Sequence, residues 1–194
     1  MKAFLQPLQG LAEMEEIQKD LKKNKGILQI SGCIESQKAH LMYGLSGLFS
    51  HKLILAEDER RAKEIYEDYR FYDKNILFYP AKDLLFFQAD VHGNLLIRQR
   101  MRAVKALLEE KELTVVTSVD GCMDFLSPLE RIQESLLTFR NDSELDLDKL
   151  KASLVKMGYE RVGQVEMPGQ FSIRGGIVDL YPLTEENPWR IELW

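Results

Sequence analysis

The chain has 194 residues, enough for one good core or two modest ones. Its 45% hydrophobic and 29% charged residues are the makeup of a globular domain, neither disordered nor membrane-embedded. A formal net charge of -5 argues against a dedicated nucleic-acid module, whose phosphate contacts show as a basic balance.

Leu11, Met14, Ile17 and Leu21 recur at helical spacing, with Glu13, Glu15 and Glu16 early and Lys22, Lys23 and Lys25 late, which suits the helix dipole. Gly26 closes that predicted helix. The next run, "ILQIS" (residues 27–31), reads as a strand, followed by a glycine turn at Gly32 and a helix with Leu41, Met42, Leu45, Leu48 and Phe49 on one apolar face. "KLILA" (52–56) reads as a fully buried strand of the parallel type, followed by a charged helix with Ala62, Ile65, Tyr66 and Tyr69 inward. "NILFYP", the helix "RQRMRAVKALLEE" and "LTVVTSV" repeat the alternation. This predicts an α/β domain over residues 1–126 with a doubly wound, mainly parallel sheet, like a degenerate RecA-type phosphate-loop domain.

After Pro128 helices no longer separate the strands. "SLLTFR" reads as a strand, and "DLDKLKASLVKMG" as a helix with an aspartate N-cap and Gly158 at its end. "YERVGQV", "QFSIR" with "GIVDLYP", and "WRIELW" read as strands separated by turns. Residues 127–194 are therefore expected to form a small α+β domain with an antiparallel sheet. "PWRIELW" stops at Trp194 without a polar tail, so the sequence reads as an excised piece whose second domain is cut before its last strands.

The loop opening the first domain has the outline of a phosphate cradle, G-x-x-x-x-G-K-[ST], with Gly32 first and Lys38 in the lysine position. Gln37 replaces the second glycine, where backbone must approach a phosphate, and Ala39 replaces the hydroxyl that would hold magnesium. Two such defects together predict a degenerate loop without hydrolysis. "LILAED" has the form of a strand plus an acidic pair for magnesium, but its simpler reading is a buried strand with Asp58 capping the next helix.

His40, His51 and His92 share no ligand spacing, and Cys33 and Cys122 lie too far apart for a thiolate zinc motif. The histidines are given no chemistry and the cysteines are expected to be reduced thiols packed as small hydrophobes, so no metal site and no catalytic residue is assigned. No signal-peptide core opens the chain and no apolar run is long enough to span a bilayer, which predicts a cytoplasmic protein without membrane contact. Arg98, Arg100, Arg102 and Lys105 form a basic run that reads as a solvated helix face, DNA contact being the alternative.

"GQFSIRGGIVDLYP" is the most distinctive segment. Strand alternation puts Phe171 and Ile173 on one face and Ser172 and Arg174 on the other. Gly175 and Gly176 predict a bulge or tight bend that aims Arg174, and Arg161 is expected on the same exposed face. Two arginines on a rigid sheet would suit a partner's carboxylates.

The stretch from Gly158 to Leu193 closely resembles the small second domain of bacterial transcription-repair coupling factors (Mfd) and, more distantly, the excinuclease protein UvrB. The resemblance continues upstream through "RQRMRAVKALLEEKELTVVTSVDGCMDFLSP" and covers most of the chain. UvrB is an ATPase with an intact loop, so Gln37 and Ala39 favour the coupling factor. "FFQADVHGN" (86–94) is also too short for the aromatic hairpin with which UvrB grips DNA.

The resemblance implies an adaptor that recruits the excinuclease protein UvrA through Arg161 and Arg174, with Phe171 and Ser172 beside them; Ser172 stands where UvrB has a further arginine. It implies no cofactor in this piece, ATP and magnesium belonging to the motor domains of the full-length protein. RNA polymerase and duplex DNA are partners of that longer protein, whose C-terminal parts are expected to mask the docking face. The alternative is a nucleotide-dependent domain in the manner of UvrB.

Overall fold

The computed structural model describes residues 2–23, 26–82, 90–141 and 144–194. The chain divides into two compact units, the first made of Met1–Lys82 and Ala103–Asp124, the second of Asp83–Arg102 and Phe125–Trp194. Among the described residues no helix is long and apolar enough to cross a membrane.

The first unit opens with a 3-10 turn (Lys2–Phe4), α1 (Gln6–Gln9) and α2 (Ala12–Lys23). There follow α3 (Glu35–Ser46), β1 (His51–Ala56), α4 (Glu59–Tyr72) and β2 (Ile76–Tyr79). Helix α5 (Asp90–Glu109) begins in the second unit and ends in the first, and β3 (Leu113–Ser118) with α6 (Val119–Cys122) completes the set.

The sheet has the order β1-β3-β2, and both ladders are parallel. That agrees with the expected α/β class, since parallel neighbours need helical crossovers. Central β3 is buried along its whole length, as a continuous apolar run demands. Asp58 caps α4 by accepting the Arg61 N–H at 2.7 Å, which fixes the phase that turns Ala62 and Tyr69 onto Ala56, Ile76, Phe78 and Val116. Ile65 and Tyr66 pack against the same cluster.

Two expectations for this unit fail. Residues 27–31 form no strand; Ile27, Leu28 and Ile30 are exposed. An apolar pentapeptide becomes a strand only where a neighbour completes its ladder, and none does so here among the described residues. Strand β1 is not fully buried: it alternates, with Ile54 on the core and Leu53 and Leu55 exposed, because it lies at a sheet edge with one face covered. Lys25 and residues 86–89 of "FFQADVHGN" lie outside the described residues; residues 90–94 open α5.

The second unit adds α7 (Leu129–Glu134), α8 (Leu147–Lys156), β4 (Glu160–Arg161), β5 (Gln170–Arg174), β6 (Ile177–Leu180) and β7 (Trp189–Glu192). Asp146 caps α8 through the N–H groups of Asp148 and Lys149, and Gly158 takes φ +86° just beyond its end. "SLLTFR" is not a strand; the chain forms α7 and then runs irregularly through it.

The sheet order is β4-β5-β6-β7. It is mixed, and the expectation of an antiparallel sheet needs correction: β5-β6 and β6-β7 are antiparallel, but β4 pairs with β5 in parallel. The "YERVGQV" strand shrinks to Glu160–Arg161, because the chain leaves the ladder after Val162 and re-enters in the same direction at Gln170. Its core joins Leu150 and Leu154 of α8 to Phe171, Val178 and Leu180.

At the end of β3, Thr117 Oγ1 donates to Tyr79 O at 2.8 Å, and Ser118 Oγ accepts the Gly121 N–H at 3.1 Å. A Cβ on Gly121 would collide with Thr117 Oγ1 and come within 3.3 Å of Tyr79 O. Gly121→Ala is therefore expected to lower the stability of the first unit by about 1–3 kcal/mol, the usual cost of overpacking. Urea unfolding checks this, an unchanged midpoint contradicting the packing described.

Candidate functional site

Two places carry the residues singled out by sequence: the degenerate loop in the first unit and the open sheet face in the second. Gly32 takes φ +83°, so the predicted glycine turn exists, and α3 starts at Glu35. Gln37 turns its side chain back, and its amide oxygen accepts the Ile34 N–H at 3.1 Å. This is half of a capping box. The residue that stands where a nucleotide loop has glycine thus closes the start of its own helix. Ala39 is buried, so its lack of a hydroxyl is matched by a packing role.

Lys38 Nζ donates to Glu35 Oε1 at 2.5 Å, and Arg61 reaches the other oxygen of the same carboxylate. Arg60 and Arg61 both pair with Glu64, and Arg61's hydrogen bond, followed by Arg60, holds that carboxyl below its usual range. These five residues and Glu57 line a depression of about 460 Å³. Three carboxylates there face three cations, so the lining is formally neutral. Asp58 is engaged as the α4 cap, in keeping with the simpler reading of "LILAED".

The histidines whose side chains are described each meet a backbone carbonyl. His40 Nε2 lies 2.6 Å from Phe4 O with its ring stacked on Tyr72, and His51 Nε2 lies 3.2 Å from Glu110 O. The basic run is not a uniform solvated face. Arg100 is buried, Arg102 lies 4.0 Å from Glu186 and Lys105 lies 3.9 Å from Glu109.

In the second unit, Gly175 takes φ +60° and begins a two-residue hairpin turn that pairs Arg174 with Ile177. The predicted bend is this tight turn. Because ladder partners share a face, the register sets Phe171, Ile173, Val178, Leu180 and Ile191 toward α8. Ser172, Asp179 and Arg190 form a cross-strand row on the opposite face, with Arg174 two residues along from Ser172.

Arg174 is exposed, at 61% of its side chain, and donates from Nη2 to Asp179 Oδ2 at 2.7 Å. Arg190, 58% exposed, donates from Nε to Oδ1 at 2.7 Å and from Nη2 to Oδ2 at 3.1 Å. Asp179 itself is only 14% exposed. The Arg190 hydrogen bonds, and then those of Arg174, hold its carboxyl below the usual range, and Asp179 in turn raises Arg190.

The other three residues expected at the docking surface are placed differently. Phe171 is wholly buried beneath α8 and belongs to the core. Ser172 is buried too, its Oγ donating to Gly163 O at 3.4 Å, so it ties the 162–169 connection to β5. Arg161 is exposed but pairs with Phe171 in the ladder, which puts it on the other side of the sheet from Arg174. The expected shared face is thus not formed. Sequence reading missed Asp179 and Arg190, although "IVDL" and "WRIE" each carry a charge at an alternate strand position.

Comparison with known proteins places these observations in context. Residues 137–194 match the model of the UvrB interaction domain. The transcription-repair-coupling factor of Bacillus subtilis is 32% identical over 93% of this chain. That of Staphylococcus aureus is 35% identical over 64% of it. The chain spans 17% and 11% of the lengths of these two relatives.

A carboxyl with a lowered pKa contributes its full stability above the ordinary carboxylate range and loses it as pH falls through the lowered folded value. The Arg174–Asp179–Arg190 cluster is therefore expected to stay intact through mildly acidic pH and to open only below the ordinary range. A carbon-detected NMR titration of the Asp179 carboxyl checks this; a midpoint within the ordinary range contradicts it.

Proposed function

The chain belongs to the transcription-repair coupling factor family as an N-terminal, UvrB-like module, and on that footing we propose that it is an adaptor that recruits the excinuclease protein UvrA for nucleotide excision repair. The observation that carries this reading is a coincidence of two things in one segment. The UvrB interaction domain match falls on residues 137–194, and that stretch presents exposed arginines on a sheet whose other face is locked under a helix.

Guanidinium groups suit such a surface because they are planar, always charged and able to meet a carboxylate with two parallel hydrogen bonds. Arg174 is the contact best supported by its exposure. Arg161 enters as a second contact from the β4 edge, outside the Arg174 face. In the longer protein the module would act where RNA polymerase has stalled on damaged duplex DNA, with ATP and magnesium used by motor domains elsewhere in that chain.

The adaptor acts without nucleotide hydrolysis of its own. A triphosphate needs free backbone N–H groups and uncompensated positive charge. Here Lys38 and Arg61 already share the Glu35 carboxylate, and the surrounding depression is formally neutral.

Binding of the purified chain to UvrA is expected to fall at least tenfold in Arg161→Ala plus Arg174→Ala, since truncating one partner of an interfacial charge pair costs about 2–5 kcal/mol. Wild-type affinity in a folded double variant would remove the site assignment. Titration calorimetry with Mg-ATP is expected to give no saturable heat. Saturable binding that disappears in Lys38→Ala would instead support the nucleotide-dependent alternative.

A further inference from the structure

We propose that Arg190 is a further contact residue of the docking surface and that Asp179 is its positioning residue, Arg174 and Arg190 forming one plate that accepts carboxylates of an acidic partner surface. This rests on the adaptor reading above and specifies which side chains of the second unit make the contact.

Two guanidinium groups repel, and on strands either side of a third they would turn apart into water. Asp179 prevents this from the strand between them. Its Oδ2 takes both Arg174 Nη2 and Arg190 Nη2, at 2.7 and 3.1 Å, while Oδ1 takes Arg190 Nε at 2.7 Å. The carboxylate is largely covered and each arginine is more than half exposed. An approaching surface therefore meets guanidinium edges first.

Arg174 spends one nitrogen on Asp179 and Arg190 spends two. Most of their N–H donors remain free to bind a ligand. The clamp also removes part of the side-chain entropy that an exposed arginine would lose on binding. The donors left free are planar and adjacent, an arrangement matched by paired carboxylates.

That face carries two acids besides Asp179: Glu160 on the β4 edge, paired with Gln170, and Glu192, paired with Ile177 at the end of β7. A free guanidinium cluster would be needed for a polyanion such as nucleic acid. Here Glu160, Asp179 and Glu192 more than offset Arg174 and Arg190, so there is no diffuse positive field and contact rests on directional hydrogen bonds to carboxylates. Arg190 pairs directly opposite Asp179 in the β6-β7 ladder, so its position is set by the sheet itself.

The test is surface plasmon resonance of the 194-residue chain against UvrA, with wild type, Arg174→Ala, Arg190→Ala, Arg190→Lys and Asp179→Asn, each checked for its urea midpoint and active fraction. Arg190→Ala is expected to weaken binding about tenfold or more through faster dissociation. Arg190→Lys is expected to recover little, because an ammonium cannot use two nitrogens on Asp179 and still present a planar edge. Asp179→Asn is expected to raise the dissociation rate while leaving the active fraction unchanged, a split that a purely structural loss would not give.

Wild-type kinetics in Arg190→Ala or in Arg190→Lys, alongside weakened Arg174→Ala, would overturn the proposal and make Arg190 a brace of the sheet. Unchanged dissociation in Asp179→Asn would overturn the positioning role. If Arg174→Ala also binds like wild type, the failure lies with the adaptor surface as a whole.

Discussion

Cross-strand register in the second sheet is the constraint on which the proposed docking surface depends. Side chains alternate along a strand, so a slip of one residue would exchange every inward and outward position. Phe171, Val178 and Leu180 must meet Leu150 and Leu154 of α8, and burying that set leaves Arg174, Asp179 and Arg190 on the other side. The Gly175–Gly176 turn holds the register, since a two-residue hairpin with positive φ at its first position permits one pairing, Arg174 with Ile177. The apolar half of the alternation therefore stabilises the domain, and the polar half receives its geometry as a consequence.

The degenerate loop obeys a similar economy of partners. A helix start leaves backbone N–H groups without intrahelical acceptors, and a nucleotide loop offers them to phosphate. In this chain Gln37 accepts the Ile34 N–H, and Glu35 supplies the negative charge that Lys38 and Arg61 would otherwise seek. The loop has the outline of a phosphate cradle in sequence, and its own side chains supply the partners that a phosphate would meet.

Much of the architecture was legible in the sequence. The α/β alternation of the first unit, the Asp58 and Asp146 caps, the inward face of α4 and the β5-β6 hairpin follow from local rules of periodicity and capping. Residues 27–31 and 135–140 read as strands without being strands, because their apolar content is real but a strand needs a neighbour, which local pattern does not specify. The parallel pairing of β4 escaped for the same reason, since the chain reverses twice within the 162–169 connection.

For the site, the sequence by itself determined the two faults in the loop, the alternation of Phe171 with Arg174 and the glycine turn, because each is set by residues near one another in the chain. Only the tertiary structure decided which charges meet. Asp179 joins Arg174 five residues before it to Arg190 eleven after it, and the two guanidinium groups cover most of its side chain. The ladder likewise sets Arg161 apart from Arg174, against the expectation of a shared face. Register between strands fixes such meetings, and register is settled by which apolar faces find a helix to cover them.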